Sequence, residues 1–311
     1  MSAALSVRRY TRAVTAGTAI LIDGRAIADA VAEETAQAVA DHVARGHAPP
    51  HLTAVLVGDD AASAVYVRNK GRACERVGMT HETLALPAST TQAELLAHVE
   101  LLNSSPAVSG ILVQMPLPPQ IDAGAVMQTV DPRKDVDGLH PTSMGLLLAG
   151  TPGLVPATPA GIQQLLLRTG NDPDGQRVVI VGRSVLVGRP LAALLANKAP
   201  GANATVTIAH TGTRDLGAVT REAEILVVAA GRAGTVTAEM VRPGAVVIDV
   251  GTNRVDDPSA KRGYRLTGDV DFAAVSEIAS AITPVPGGVG PMTIAMVVRN
   301  TLIAAQGLVG G

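Results

Sequence analysis

Four short apolar runs in the second half of the chain, Arg177 to Val181, Ala204 to Ala209, Ile225 to Ala230 and Ala245 to Val250, constrain the fold most tightly. Each is a near-continuous Val/Ile/Ala stretch, so neither face of the strand it forms is expected to lie in water. Helix-length sequence separates consecutive runs. That pattern calls for parallel strands covered by helices on both faces, a doubly wound, Rossmann-like sheet. The first half repeats the alternation with Ala19 to Ile22, Leu52 to Val57 and Gly110 to Met115. Between these runs, Ile27 to Arg45 carries Ala, Val and Ile at helical spacing and stops at Gly46. A second helix, Thr91 to Leu102, follows Ser89-Thr90, a pair suited to an N-terminal cap.

The fold class is therefore α/β with two domains. An N-terminal α/β domain is expected over 19–157, completed by a C-terminal helix within 285–311, and a Rossmann-like doubly wound domain over 158–284. The Pro/Gly-rich stretch Gly150 to Pro159 reads as a hinge, and a second, Pro284 to Pro291, precedes a final apolar helix, Met292 to Ala305. Residues 1–18 hold Arg8, Arg9 and Arg12, and no acidic residue precedes Asp23. They read as a flexible extension, with an organellar targeting segment as the other reading.

Composition closes several functional classes. The 25 Lys+Arg against 27 Asp+Glu leave a formal charge of -2, so no basic surplus draws the chain to nucleic acid or an anionic membrane. Apolar stretches are strand-length pieces cut by Gly, Asp or Pro, far short of a bilayer span. The lone cysteine, Cys74, permits no intrachain disulfide and no cysteine zinc cluster, and the seven His lack ligand spacing, so no metal is expected. A soluble protein of the reducing cytoplasm fits these facts.

Five segments carry chemistry. Val181-Gly182-Arg183-Ser184-Val185-Leu186-Val187-Gly188-Arg189-Pro190 follows a strand and opens a helix, where a dinucleotide pyrophosphate meets backbone N–H groups. Gly182 and Gly188 bracket a guanidinium and a hydroxyl suited to a ribose 2′-phosphate, which favours NADP over NAD. A tight βα turn with an incidental Arg is the alternative. Along Gly58 to Lys70, Ser63, Tyr66 and Lys70 stand at i, i+3 and i+7 on one helix face, beside the C-terminal end of a strand. There Tyr66 could stack on a flat ring and Lys70 could handle a proton, unless Tyr66 is core and Lys70 only snorkels.

Gln114 interrupts the apolar run Gly110 to Pro118, and a polar group there must find a partner. If its strand neighbours the one before Lys70, the two side chains face one crevice; loop backbone is the other partner on offer. Asp135 and Asp137 stand two apart in a turn closed by Gly138, where a carboxylate can accept the paired N–H donors of an aminopyrimidine or pterin edge, or simply cap the turn. The glycine-rich stretch Ile282 to Thr293 offers bare backbone for close approach to a ligand.

Taken together, Tyr66-Val67-Arg68-Asn69-Lys70 and Pro284-Val285-Pro286-Gly287-Gly288-Val289-Gly290-Pro291-Met292-Thr293, with Gly110 to Pro118, Lys134 to Gly138 and Gly182 to Gly188 in the same order, closely resemble the bifunctional methylenetetrahydrofolate dehydrogenase/methenyltetrahydrofolate cyclohydrolase family. The similarity runs from about Ala19 to Ile303. It implies a homodimer of two-domain subunits, tetrahydrofolate derivatives as substrates in the cleft between the domains, and NADP on the Rossmann-like domain. It further implies that Tyr66 stacks on the folate, that Lys70 is the cyclohydrolase catalytic residue assisted by Gln114 and Ser63, and that Asp137 anchors the pterin. Pro286, Gly287, Gly290 and Pro291 would line the folate site. Gly182, Arg183 and Ser184 carry over to the cofactor, with Thr158, Thr211, Thr252 and Thr293 as further candidates.

The family commonly has Cys, Asn, Ser and Ile where this chain has Ala157, Ser143, Thr211 and Thr252; none of these removes a proposed catalytic group. The implied chemistry is oxidation of 5,10-methylenetetrahydrofolate to the 5,10-methenyl form, then hydrolysis to 10-formyltetrahydrofolate, a step of one-carbon metabolism. Two rivals stand beside it. One is another NADP-dependent dehydrogenase of a small carbonyl substrate, which would need no Gln114; the other is an inactive NADP-binding regulatory module, which would have no use for Lys70, Gln114 or Asp137.

Overall fold

The computed structural model describes residues 15–16, 18–260 and 263–307. In chain order its first half runs β1 (Thr15–Ala16), β2 (Ala19–Leu21), α1 (Gly24–Ala44), β3 (His51–Val57), α2 (Ala61–Arg76), β4 (Thr80–Leu86), α3 (Gln92–Ser104), β5 (Gly110–Val113), α4 (Ala123–Thr129) and α5 (Pro141–Leu148). The second runs α6 (Ala157–Arg168), β6 (Arg177–Val181), α7 (Gly188–Ala196), β7 (Thr205–Ala209), α8 (Leu216–Thr220), β8 (Ile225–Val228), β9 (Val246–Asp249), β10 (Asn253–Asp256), β11 (Tyr264–Thr267), α9 (Phe272–Val275), β12 (Ala281–Ile282) and α10 (Val289–Ala305). Two compact units result, one of residues 1–28 and 158–293, the other of 29–157 and 294–311.

The first unit is built on a sheet of order β1-β2-β12-β9-β8-β6-β7, parallel throughout except for the β1–β2 pair. Val178 to Val181, Ile225 to Val228 and Val246 to Ile248 are buried on both faces, as their apolar runs require, whereas β7, expected to be covered likewise, is the edge strand and leaves Thr205, Thr207 and Ile208 exposed. Each such side chain removed from water stabilises the fold by about 1.5–3 kcal/mol. From β6 the chain passes to β7 on one side and then to β8 on the other, which makes the C-terminal edge between β6 and β8 the switch point of the sheet. The strand at Ala19, grouped by sequence with the first half, pairs instead with β12 of this sheet. Its apolar run alone could not name its partner.

The second unit holds a parallel sheet of order β4-β3-β5. Its core joins Val55, Val57, Ile111 and Val113 to Leu95 and Val99 of α3 and Val126 of α4. Asn300 of α10 donates to the carbonyls of Val136 and Val155, both at 2.9 Å.

Several sequence expectations shift. β4 escaped detection because it is an edge strand whose polar residues Thr80, Glu82 and Thr83 are exposed, so it never forms an apolar run. The cap of α3 is Thr91, one residue later than expected, in a reciprocal capping box with Glu94. Gly150 to Pro159 is not hinge throughout, since α6 begins at Ala157; Pro159 sits in its first turn, where no N–H is missed. For the same reason Pro291 falls within α10, which starts at Val289. The β10–β11 hairpin, with Arg254 stacked 3.9 Å from the centre of the Tyr264 ring, was also unforeseen. Of the extension expected over 1–18, Thr15–Ala16 form β1 and Thr18 donates to the Glu277 carbonyl at 2.7 Å; the rest lies outside the described residues. No helix among the described residues is long and apolar enough to cross a membrane.

Candidate active site

In the second unit the site grows from α2. Asp60 accepts the Ser63 N–H at 2.7 Å and starts the helix at the C-terminal end of β3. Two turns on, Lys70 is 7% exposed, whereas Tyr66 on the same helix is 43% exposed and Ser63 is buried. β5 lies next to β3, and the Gln114 N–H, just past its end, donates to the Val55 carbonyl at 2.9 Å. The crevice inferred from the strand order thereby forms: Lys70 Nζ donates to Gln114 Oε1 at 3.1 Å.

Burial, which penalises the ammonium, pulls the Lys70 pKa below its ordinary value; the negative charge of Asp137 opposes this more weakly. A buried lysine held by a neutral amide gives up its proton more readily than an exposed one.

The Lys134 to Gly138 segment divides its labour. Lys134 donates to the carbonyls of Leu102, Asn103 and Ser105 at the end of α3, at 2.7–3.1 Å. Asp135 is buried and accepts the His140 N–H at 2.7 Å and the Ser143 hydroxyl at 3.3 Å; burial pushes its pKa up to about 6. Asp137 remains half-buried and open to a ligand. Gly138 turns the chain at φ +72°, where a Cβ would come within 2.6 Å of the Pro156 nitrogen, so only glycine closes this turn.

In the first unit, Gly182 ends β6 at φ +133°, its N–H on the Ala209 carbonyl; a Cβ there would meet the Ala229 carbonyl at 2.2 Å. Ser184 Oγ accepts the Val187 N–H, and no side chain caps α7 at Val187. Within the first turn the Arg189 N–H goes to the Ser184 carbonyl at 3.1 Å and Pro190 has none, so what a dinucleotide pyrophosphate could approach is the bare backbone at Gly182 and Gly188. Arg183 is exposed, and its Nη1 lies 3.5 Å from His210 Nε2. His210 was missed by sequence reasoning, although its position at the end of β7, the strand beside β6, was a usable signal.

Thr211 and Thr252 are exposed at the ends of β7 and β9. The Thr158 and Thr293 hydroxyls bond each other at 2.9 Å. Pro286 and Gly290 are exposed, Gly287 and Pro291 half-buried, and the Gly287 carbonyl accepts the Arg25 N–H at 3.1 Å. These four belong to the first unit, whereas Ser63, Tyr66, Lys70, Gln114 and Asp137 belong to the second.

Residues 22–137 match the family model for the tetrahydrofolate dehydrogenase/cyclohydrolase catalytic domain, and residues 156–308 match that for the NAD(P)-binding domain of the same family. The bifunctional protein FolD of Rhodopirellula baltica is 54% identical over 296 residues, covering 92% of this chain and 96% of the relative. A crystal structure of the bifunctional FolD methylenetetrahydrofolate dehydrogenase/cyclohydrolase from Campylobacter jejuni is 42% identical, with a TM-score of 0.86 and coverage of 92% of this chain and 98% of that one. The Trypanosoma brucei FolD enzyme, solved with NADP cofactor and inhibitor, is 41% identical, with a TM-score of 0.87 and coverage of 94% and 99%. Matched over most of its length by both models, the chain belongs to the tetrahydrofolate dehydrogenase/cyclohydrolase family.

Proposed function

We propose that this chain is a bifunctional enzyme that oxidises 5,10-methylenetetrahydrofolate to 5,10-methenyltetrahydrofolate with NADP and hydrolyses the product to 10-formyltetrahydrofolate. The observation that carries the reading is Lys70, buried and held by Gln114 within the field of Asp137, in a chain that also has a glycine-rich loop fit for a dinucleotide. Family membership removes the support for both rivals, the small-carbonyl dehydrogenase and the inactive module.

Oxidation asks little acid–base work of the protein, because two flanking nitrogens stabilise the cation left when hydride departs the methylene carbon. Bound NADP supplies the hydride acceptor. Gly182, Ser184 and the start of α7 would hold its pyrophosphate, Arg183 with His210 its 2′-phosphate, and Thr211, Thr252, Thr158 and Thr293 further groups. Orientation of the substrate is the remaining task, given in the second unit to Tyr66 by stacking and to Asp137 by accepting paired pterin N–H groups.

Hydrolysis differs. Water adds to the methenyl carbon and loses a proton to give a carbinol; its hydroxyl then gives up the second proton as the formyl C=O forms, the bond from that carbon to N5 breaks and N5 takes up a proton. Lys70, with its lowered pKa, accepts the proton from water, and the cationic substrate beside it favours the neutral amine further. Gln114 holds Nζ in place, and Ser63 assists from the same helix.

The reading extends to a cytoplasmic homodimer. β4 is the edge of its sheet, and a groove of about 430 Å³ along it, lined by Val67, Arg68, Arg72 and His81, suits pairing with a second copy. The single buried thiol, its pKa pushed up to about 12, accords with a reducing compartment.

An assay with 5,10-methylenetetrahydrofolate and NADP, following NADPH and then counting 10-formyl product by acid conversion to the methenyl form, tests the reading. Matched yields of NADPH and formyl product are expected. Folded protein without turnover would overturn it, and methenyl accumulation beyond the enzyme-free control would remove the hydrolytic role of Lys70. Light scattering at twice the subunit mass is the expected result for the dimer.

A further inference from the structure

Neither reaction uses Asp249 and Asp269, yet they are 2% and 0% exposed and stand at the C-terminal edge of the seven-stranded sheet. Asp249, the last residue of β9, accepts the N–H groups of Gly251 (2.9 Å), Asp269 (2.9 Å) and Val270 (3.0 Å). Asp269 accepts the Gly231 N–H just beyond β8 and the Asn253 side-chain amide, both at 2.8 Å. The Asp249 N–H in turn donates to the Thr283 hydroxyl at 2.7 Å, at the head of the Pro/Gly stretch.

Two glycines make room for this. A Cβ on Gly251 would lie 2.3 Å from the Asp269 carboxyl, and one on Gly268 would lie 1.8 Å from Asp249 Oδ2. Buried carboxylates are costly unless their acceptors are filled; the cost here is visible in Asp249, whose pKa burial pushes up to about 6. What the two carboxylates hold, apart from the Asn253 side chain, is backbone: the loops after β8 and β9 and the segment that follows β11.

The geometry points to the Asp249–Asp269 pair as a clasp that positions the loops at Gly231 and at Gly251 to Asn253 for the nicotinamide half of the dinucleotide. The inference rests on the NADP reading above. In strand order β9-β8-β6-β7, the phosphate-binding loop follows β6, and Arg183 with His210 marks the β7 side as the place of the 2′-phosphate. A dinucleotide extended across the switch point carries its other half toward β8 and β9, and those are the loops the clasp fixes. Thr252, exposed between Gly251 and Asn253, is the side chain it presents. Asp249 and Asp269 are positioning residues, since they act through backbone and touch neither substrate nor cofactor.

Calorimetric titration of NADP and of NAD into the full-length protein and its Asp269→Ala variant tests this. Loss of both acceptors should raise Kd about tenfold for each dinucleotide alike, leaving the NADP-to-NAD ratio unchanged, and should lower dehydrogenase kcat as well as raise KM. Arg183→Ala, by contrast, should change the ratio. If Asp269→Ala fails to fold by circular dichroism, Asn253→Ala and Asp249→Asn take its place with smaller shifts in the same direction. A folded variant that binds both dinucleotides as the parent does, or one whose ratio shifts, overturns the clasp. A parent protein that binds no dinucleotide overturns the NADP reading itself.

Discussion

Gln114 reaches Lys70 through one particular atom: its Nε2 is committed to the Met115 carbonyl at 2.7 Å, which leaves Oε1 to accept from Lys70 Nζ at 3.1 Å. The amide is thus locked as an acceptor toward the lysine. It fixes the position of the nitrogen without supplying the negative charge that would keep it protonated.

Lys70→Met should therefore separate the two activities. Hydrolysis loses its proton acceptor and should fall by roughly 100-fold or more, while hydride transfer, which needs no base, should survive at most of its parental rate. Parallel rate measurements on methenyl and methylene substrates check this; equal loss of both in a folded variant would contradict the division of roles.

Replacing the neutral amide by a charge should move a pH profile. Because burial lowers the Lys70 pKa, the hydrolytic rate of the parent should rise with pH along a limb centred below the ordinary lysine value of 10.5. Gln114→Glu adds a carboxylate beside the ammonium, raises that pKa and should shift the limb to higher pH. A limb that stays in place would show that Lys70 is not the titrating group.

Arg183→Ala should raise KM for NADP far more than for NAD. A hydrogen bond to a charged group is worth about 1.5–3 kcal/mol, which corresponds to roughly ten- to hundredfold in kcat/KM. Steady-state kinetics with both dinucleotides decide it, and an equal rise for each would remove Arg183 from recognition of the 2′-phosphate.

Asp135 makes stability depend on pH with a defined sign. Its pKa is raised in the folded chain from 3.8 to about 6, so between those values the folded state keeps a proton that the unfolded state releases. The stabilisation from this group is present in full below about pH 4 and declines as pH rises through 6; up to about 3 kcal/mol is involved. Asp135→Asn cannot titrate, and the decrease in Tm between pH 5 and pH 7 should shrink by roughly 2–3 °C in thermal melts. An unchanged decrease would assign the dependence to other groups.

What was legible in the sequence follows from what each residue answers to. Strands β6, β8 and β9 are covered on both faces, so their burial alone writes them as apolar runs; β4 answers to an open edge and reads as loop. Lys70 and Gln114 could be brought together once their strands were taken as neighbours, because a side chain at a strand end has few directions open to it. Arg183 stood out as a charged residue inside a glycine loop. His210 and the Asp249–Asp269 pair did not, since their meaning depends on residues 27 and 20 positions away that only the sheet order brings close. The strand at Ala19, grouped by sequence with the first half, pairs with β12 for the same reason: the four-residue apolar run Ala19 to Ile22 carries burial but no address.

Lys134 joins two parts of the second unit that serve different ends. Its ammonium draws in three carbonyls from the end of α3, and its own carbonyl receives the Ile111 N–H of β5 at 2.8 Å, three residues before Asp137. The last turn of that helix cannot fray without releasing the turn that bears Asp137. Amides of both segments should therefore exchange with solvent as one cooperative opening, and substrate bound at Asp137 should slow exchange at the end of a helix it does not touch.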